Sequence, residues 1–174
     1  VNKQGAIYAK LERLDNGKGI VVLKDTDGDG RTEAKTTFAN YIGTGIAIKG
    51  DYLYASSNKE VFKYALNENG DIVDENAAAT LVTGLVDKGQ HNSKSITLDN
   101  AGNIYVNVGA PSNSCQEKDR TKGSMGMMPC PILDSAGGIW QFDGSKENQS
   151  YAQGKRYATG LRNVIGLDWN NKTN

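Results

Sequence analysis

The sequence predicts an all-β chain of short antiparallel strands, and three observations point that way. Twenty-one glycines stand among 174 residues, with turn pairs such as Asp29-Gly30, Asn69-Gly70 and Asp143-Gly144 spread along the chain, and such pairs join short strands rather than helices. Runs rich in β-branched and aromatic residues recur between them, as strands require. The order of these runs repeats, while helical periodicity is weak everywhere except in a short turn near Asp74 to Ala79.

Taken in order, Ile7-Tyr8-Ala9 and Ile20-Val21-Val22-Leu23 flank a turn at Asn16-Gly17, and Thr36 to Phe38 reads as a further strand. Ile46-Ala47-Ile48 runs through Gly50-Asp51 into Tyr52-Leu53-Tyr54, and Val61 to Leu66 and Thr80 to Thr83 follow. The same order then returns with Ile96-Thr97-Leu98, Ile104 to Val108, Gly138 to Phe142 and Arg156 to Thr159. Gly45-Ile46-Ala47-Ile48, Ser95-Ile96-Thr97-Leu98 and Gly166-Leu167-Asp168-Trp169 open successive units at intervals of 50 and 71 residues, the longer one holding an insertion. One four-stranded unit of this period cannot cover both its faces and must stack on neighbours, which is the signature of a β-propeller blade.

The chain therefore reads as one partial propeller. The outer strands of a first blade occupy 1–42, a second blade 43–92, a third 93–163 with an insertion at 110–136, and a next blade starts at 164–174. About three blades make roughly half a ring. The open edge calls for the remaining blades or a self-association partner to cover it. Tyr52, Tyr54, Phe62, Tyr64, Tyr105, Trp140 and Trp169 fall at strand spacing and are expected to fill the spaces between blades.

Charge and composition exclude several functions. Lys+Arg and Asp+Glu both number 20, for a formal net charge of zero, whereas a nucleic-acid binder needs a basic surplus. The longest apolar runs, such as Ile20 to Leu23, fall far short of the roughly 20 residues of a membrane span. No charged segment followed by an apolar stretch opens the chain, so any leader is expected to have been removed or never present. Cys115 and Cys130 lie in a polar segment and suit a disulfide in an oxidising compartment, with two free thiols as the alternative. The run Glu117 to Lys122 between them reads as a solvated loop whose charges cancel.

In a propeller, the connection into each innermost strand lies on one rim, where binding sites gather. Four residues before Gly45, Ser95 and Gly166 stand Tyr41, His91 and Arg162. His91 is the only histidine of the chain, and an imidazole can take up a proton near neutral pH. A lone histidine at such a junction is more often a local hydrogen-bonding residue, and an Arg-Asn pair can simply satisfy loop carbonyls.

Three segments carry a resemblance: Gln90 to Leu98, Asn100 to Gly109, and Ala158-Thr159-Gly160-Leu161-Arg162-Asn163 continuing to Trp169. Together they resemble the soluble quinoprotein glucose/sorbosone (aldose sugar) dehydrogenases, six-bladed propellers that use pyrroloquinoline quinone and calcium. The resemblance implies His91 as general base and Arg162 and Asn163 as cofactor contacts, with Gln90 and the rim residue Tyr41 beside them. It also implies a small-molecule sugar substrate and a periplasmic or secreted setting. Lys94 departs from the family, which often has arginine three residues after the histidine; lysine keeps the charge and loses the planar fork. The other cofactor contacts belong to blades beyond these residues, so this chain alone is expected to be inactive.

The chemistry suits those residue types. Oxidation at an anomeric carbon needs the hydroxyl proton removed as hydride leaves for the quinone, and imidazole is the right base. Arginine can pair with a cofactor carboxylate and stabilise negative charge on the reduced ring.

Asp25-Thr26-Asp27-Gly28-Asp29-Gly30 matches the first half of a calcium loop. The twelfth position, where an EF-hand needs glutamate, is Thr36. The segment reads either as a structural calcium-binding hairpin, with Asp25, Asp27 and Asp29 as ligands and Glu33 or a backbone carbonyl completing the shell, or as an acidic solvated turn. Two other functions compete with the dehydrogenase. A non-catalytic binding propeller is favoured by Lys94 and the cysteine insertion. A metal-dependent propeller hydrolase needs carboxylates near the axis, where Tyr41, His91 and Arg162 stand instead.

Overall fold

Alternation of apolar and polar residues, cut by turns that demand positive φ, divides the chain into short strands. In the computed structural model, which describes residues 1–173, these are β1 (Ile7–Asp15), β2 (Lys18–Lys24), β3 (Ala34–Phe38), β4 (Ile46–Lys49), β5 (Tyr52–Ser56) and β6 (Val61–Ala65). β7 (Ala79–Thr83), β8 (Ile96–Leu98), β9 (Ile104–Val108), β10 (Gly138–Phe142), β11 (Gln149–Ser150) and β12 (Lys155–Thr159) follow. Asn16 and Gly17 join β1 to β2 with φ of 49° and 78°, the left-handed pair that a tight hairpin requires. The expected turn near Asp74 is a single 3₁₀ turn at Glu75–Ala77, capped by the Asp74 carboxylate accepting from Asn76 N.

Three sheets form, in the orders β1-β2-β3, β11-β7-β6-β5-β4 and β12-β10-β9-β8. Successive strands pair antiparallel in each. The first strands of the second and third sheets, β4 and β8, approach one another, as inner strands around an axis do. Each sheet packs on the next through one face. Ile20, Val22 and Phe38 meet Leu53, Ala55 and Tyr64, while Val61, Leu81 and Val82 meet Ile104, Val106, Val108, Trp140 and Phe142. Burial of each such aliphatic side chain contributes roughly 1.5–3 kcal/mol. The fold is part of a β-propeller.

The second sheet has a fifth strand that the sequence did not suggest. Between β10 and β12 the chain reaches back, and β11 pairs parallel with the outer edge of β7. Gln149 fixes it by donating to Leu81 O at 3.3 Å and Asp143 O at 2.8 Å, so neighbouring sheets are joined by ladder bonds as well as packing.

Two expectations fail here. No strand forms at Gly166–Trp169, because a strand is held by ladder bonds to a neighbour and none of the described residues supplies one. Trp169 instead stacks on Tyr105 at 5.0 Å. Tyr52 does not fill an inter-sheet space: the residue is 40% exposed, its ring beneath the Lys63 ammonium, because it faces outward where β5 begins.

The antiparallel order sorts the connections. Segments 39–45, 84–95 and 160–166, and the long β9–β10 loop, all lie at one end of the sheets. The β2–β3 turn, with its acidic residues, lies at the other.

Candidate functional site

His91 lies in the β7–β8 connection with φ of 51°, a left-handed conformation uncommon for a non-glycine residue. Its Nδ1 stands 2.6 Å from Ala110 O. A carbonyl only accepts, so Nδ1 carries a proton, and the tautomer this selects has its lone pair at Nε2. Ala110 also donates its N–H to Arg162 O at 2.8 Å, so this one residue ties the imidazole to the segment after β12. Gly109 completes the junction. A Cβ there would stand 2.5 Å from His91 Cβ and 2.8 Å from Asn163 Oδ1, so only glycine allows the two side chains this approach.

The guanidinium of Arg162 is exposed and donates through Nε to Asn113 Oδ1 at 2.8 Å. Asn163 Oδ1 accepts from Asn107 Nδ2 at 2.9 Å, and Asn107 Oδ1 accepts from Val164 N at 3.1 Å. Gln90 donates to Asp119 Oδ2 at 2.5 Å and accepts from Arg120 Nε at 3.0 Å. Asp119 Oδ1 accepts from Asn113 N at 2.6 Å. The backbone N–H of Asn113, and then the Gln90 amide, hold the Asp119 carboxyl below the usual carboxylate range.

The Glu117 to Lys122 run is therefore not merely a solvated loop. Through Asp119 it fastens Gln90 and, through Asn113, Arg162. Cys115 and Cys130 form a disulfide with Cα atoms 6.0 Å apart, closing the loop that carries these groups. The bond places the chain with proteins of oxidising compartments.

His91, Gln90, Arg162 and Asn163 thus share one network. Tyr41 lies at the same end of the sheets but outside it. Its ring stacks on Phe62 at 4.7 Å, its hydroxyl meets that of Tyr64 at 2.9 Å, and the Lys10 ammonium lies 4.0 Å from its centroid. Burial, then the neighbouring Tyr64, push the Tyr41 hydroxyl far up. Lys94 does not occupy the place of an exposed rim arginine. It is fully buried, its ammonium donates to Asn92 O, and burial pulls its pKa down to about 8.

At the other end, Asp25, Asp27, Asp29 and Glu33 bring their oxygens within 4.8 Å of one another, all exposed. Asp25 accepts from Gly28 N at 2.6 Å and Gly30 N at 2.9 Å. Those backbone bonds, Gly30 first, hold its carboxyl below the usual range.

Sequence reasoning missed Gly109, Asn107, Asn113 and Asp119. Asn107 had a signal: an amide between Val106 and Val108 in mid-strand, where asparagine is depleted.

Stacked antiparallel sheets bearing an imidazole, a guanidinium and an amide at one rim define a partial propeller with a hydrogen-bonded polar cluster at its rim. Within that class the chain belongs to the TrAA12-like family, whose model matches residues 9–174. An iodide structure of the Trichoderma reesei carbohydrate-active enzyme of family AA12 superposes with a TM-score of 0.65 at 21% identity, over 95% of this chain and 46% of that one. The holo form of the pyranose dehydrogenase PQQ domain from Coprinopsis cinerea gives 0.65 at 18% identity, over 86% of this chain and 36% of that one. A calcium structure of the Trichoderma reesei enzyme gives 0.61 at 19% identity, over 90% and 44%. The chain thus spans less than half of each of these structures. No curated protein matches it in sequence.

Proposed function

We propose that the chain is part of a quinoprotein sugar dehydrogenase that oxidises an aldose or related sugar, with pyrroloquinoline quinone as hydride acceptor and His91 as general base. The observation that carries this reading is the junction at Gly109 and Ala110. There an imidazole with its lone pair at Nε2 adjoins the Arg162-Asn163 segment. Membership of the TrAA12-like family supports it, as does likeness in fold to the PQQ domain of a pyranose dehydrogenase.

The donor set fits such a cofactor, which carries carboxylates and quinone oxygens. Among the described residues no protein group bonds the Nη atoms of Arg162, which leaves them for a carboxylate. Asn163 has an amide end to offer an oxygen, and Gln90 stands beside His91. When bound, the quinone supplies the two-electron acceptor that the side chains lack. His91 Nε2 takes the sugar hydroxyl proton, and the Ala110 carbonyl keeps the ring oriented and steadies its positive charge. The Arg162 charge favours negative charge developing nearby.

Three further statements belong to this proposal. The residues divide into blades at 1–42, 43–92, 93–163 with the insertion 110–136, and 164–174, within a six-bladed ring. The protein is periplasmic or secreted. A calcium ion sits structurally among Asp25, Asp27, Asp29 and Glu33, whose 4.8 Å spread matches oxygens on a shared ion at about 2.4 Å.

Reconstitution of the full-length protein with calcium and pyrroloquinoline quinone, followed by dye reduction over a panel including glucose, sorbosone and other aldoses, tests the reading. Saturable, quinone-dependent reduction is expected. No reduction with any sugar, together with no change in quinone absorbance on mixing, would overturn it.

A further inference from the structure

We propose that Asn107 is a positioning residue that fixes which end of the Asn163 amide faces the rim, so that Asn163 offers N–H donors and the site selects an acceptor oxygen. The inference rests on Asn163 as a contact of the cofactor.

Asn107 is 1% exposed at the centre of β9. A buried amide must pair both its ends, and the two ends look alike in shape, so only the chemistry of its partners decides its orientation. Val164 N lies 3.1 Å from one end. A backbone N–H can only donate, so that end of Asn107 is the oxygen and the other is the NH2 group. The NH2 group lies 2.9 Å from Asn163 and can only donate, so the Asn163 atom it meets is also an oxygen. Asn163 is left with its own NH2 group on the far side. One backbone N–H thus sets the polarity of two amides in series.

The relay is anchored on either side. Asn107 N donates to Ser95 O at 2.9 Å, and Ser95 Oγ donates to Ile165 O at 2.6 Å, so residues 163–165 are pinned against β8 and β9. It also adjoins His91, because Gly109 leaves no Cβ between His91 and Asn163 Oδ1. A ligand atom at Asn163 must therefore accept hydrogen bonds. A carbonyl oxygen satisfies this, and one gaining electron density on reduction is held more tightly.

Asn107→Asp keeps the acceptor for Val164 and the side-chain shape but cannot donate to Asn163. The Asn163 amide then turns its NH2 group inward and shows oxygen to the rim. Asn107→Leu removes both bonds. Two measurements on the full-length protein test the relay: hydrogen exchange of the Val164 amide without cofactor, and absorbance titration with pyrroloquinoline quinone. The expected result is a Val164 amide protected in wild type and Asn107→Asp and at least tenfold faster in Asn107→Leu, with quinone affinity at least tenfold weaker in Asn107→Asp. A merely structural role would not separate affinity from protection in this way. Quinone affinity in Asn107→Asp within twofold of wild type, or equal Val164 exchange in wild type and Asn107→Leu, would overturn the proposal. If wild type binds no quinone, the cofactor reading fails and the exchange pattern alone decides the relay.

Discussion

At one end of the sheets, the turn between β2 and β3 gathers Asp25, Asp27, Asp29 and Glu33 within 4.8 Å, fully exposed. Asp25, Asp27 and Asp29 each accept backbone N–H groups of the same turn. At the other end, His91, Ala110 and Arg162 come from three connections far apart in sequence, and what holds them is a neighbour's backbone or the half-buried amide of Asn113. The acidic cluster is written locally and depends little on the rest of the fold. The rim cluster exists only when the second and third sheets are stacked, so its geometry reports on tertiary structure.

The comparison can be broken in four places. Arg162→Ala should weaken quinone binding about ten- to a hundredfold, the loss expected of charged hydrogen bonds, without moving the denaturant midpoint, as absorbance titration and urea unfolding would show. Unchanged affinity would mean that the exposed guanidinium is only a loop tie to Asn113.

Gly109→Ala should destabilise the protein by about 1–3 kcal/mol, the usual cost of overpacking, because the new Cβ meets His91 and Asn163. A matching change at Gly28, whose Cβ would meet nothing within 4 Å, costs only the strain of its φ of 81°. Urea unfolding of the two variants compares a crowded position with an open one.

Lys10 supplies a pH test. Burial pulls its pKa down to about 7, from an ordinary value near 10.4, while the Tyr41 ring 4.0 Å away offsets part of that cost. Between those values the unfolded chain binds a proton that the folded chain does not, so stability rises as pH increases from about 7. Lys94, pulled down to about 8, adds to the rise at higher pH. Lys10→Met should therefore be more stable than wild type at pH 6 and retain only the part of the rise that starts near pH 8. A variant with the same pH slope as wild type would show that Lys10 stays charged in the folded protein.

The smallest effect belongs to the acidic turn. Millimolar calcium should raise the melting temperature by about 1–4 °C, roughly the shift that 1 kcal/mol or less produces, and Asp27→Asn should reduce that rise. A melting temperature unmoved by calcium identifies the turn as a solvated one fastened by its own amides.

What was legible in the sequence follows the same division. The strands of the first two sheets were readable because alternation and turn pairs such as Asn16-Gly17 are local signals. Gly166 to Trp169 carries the same pattern as the inner strands β4 and β8, yet no strand forms there, because pairing depends on a neighbour that pattern does not report. His91, Arg162 and Asn163 emerged from register and resemblance. Asn113 and Asp119 did not, since a polar loop residue looks alike whether it meets water or another side chain. Lys94 read as a lysine standing where the resembled family often has arginine. Its side chain is fully buried, and no property of the surrounding letters reveals it.

The central claim is that His91 acts on substrate through Nε2 while its neighbours hold the cofactor. Its most direct test is to measure quinone binding and aldose-dependent dye reduction in the full-length protein, wild type against His91→Ala. Binding within a fewfold of wild type is expected, with turnover reduced by about 10²- to 10⁴-fold, as for loss of a general base. Turnover equal to wild type in the His91→Ala protein would contradict the account.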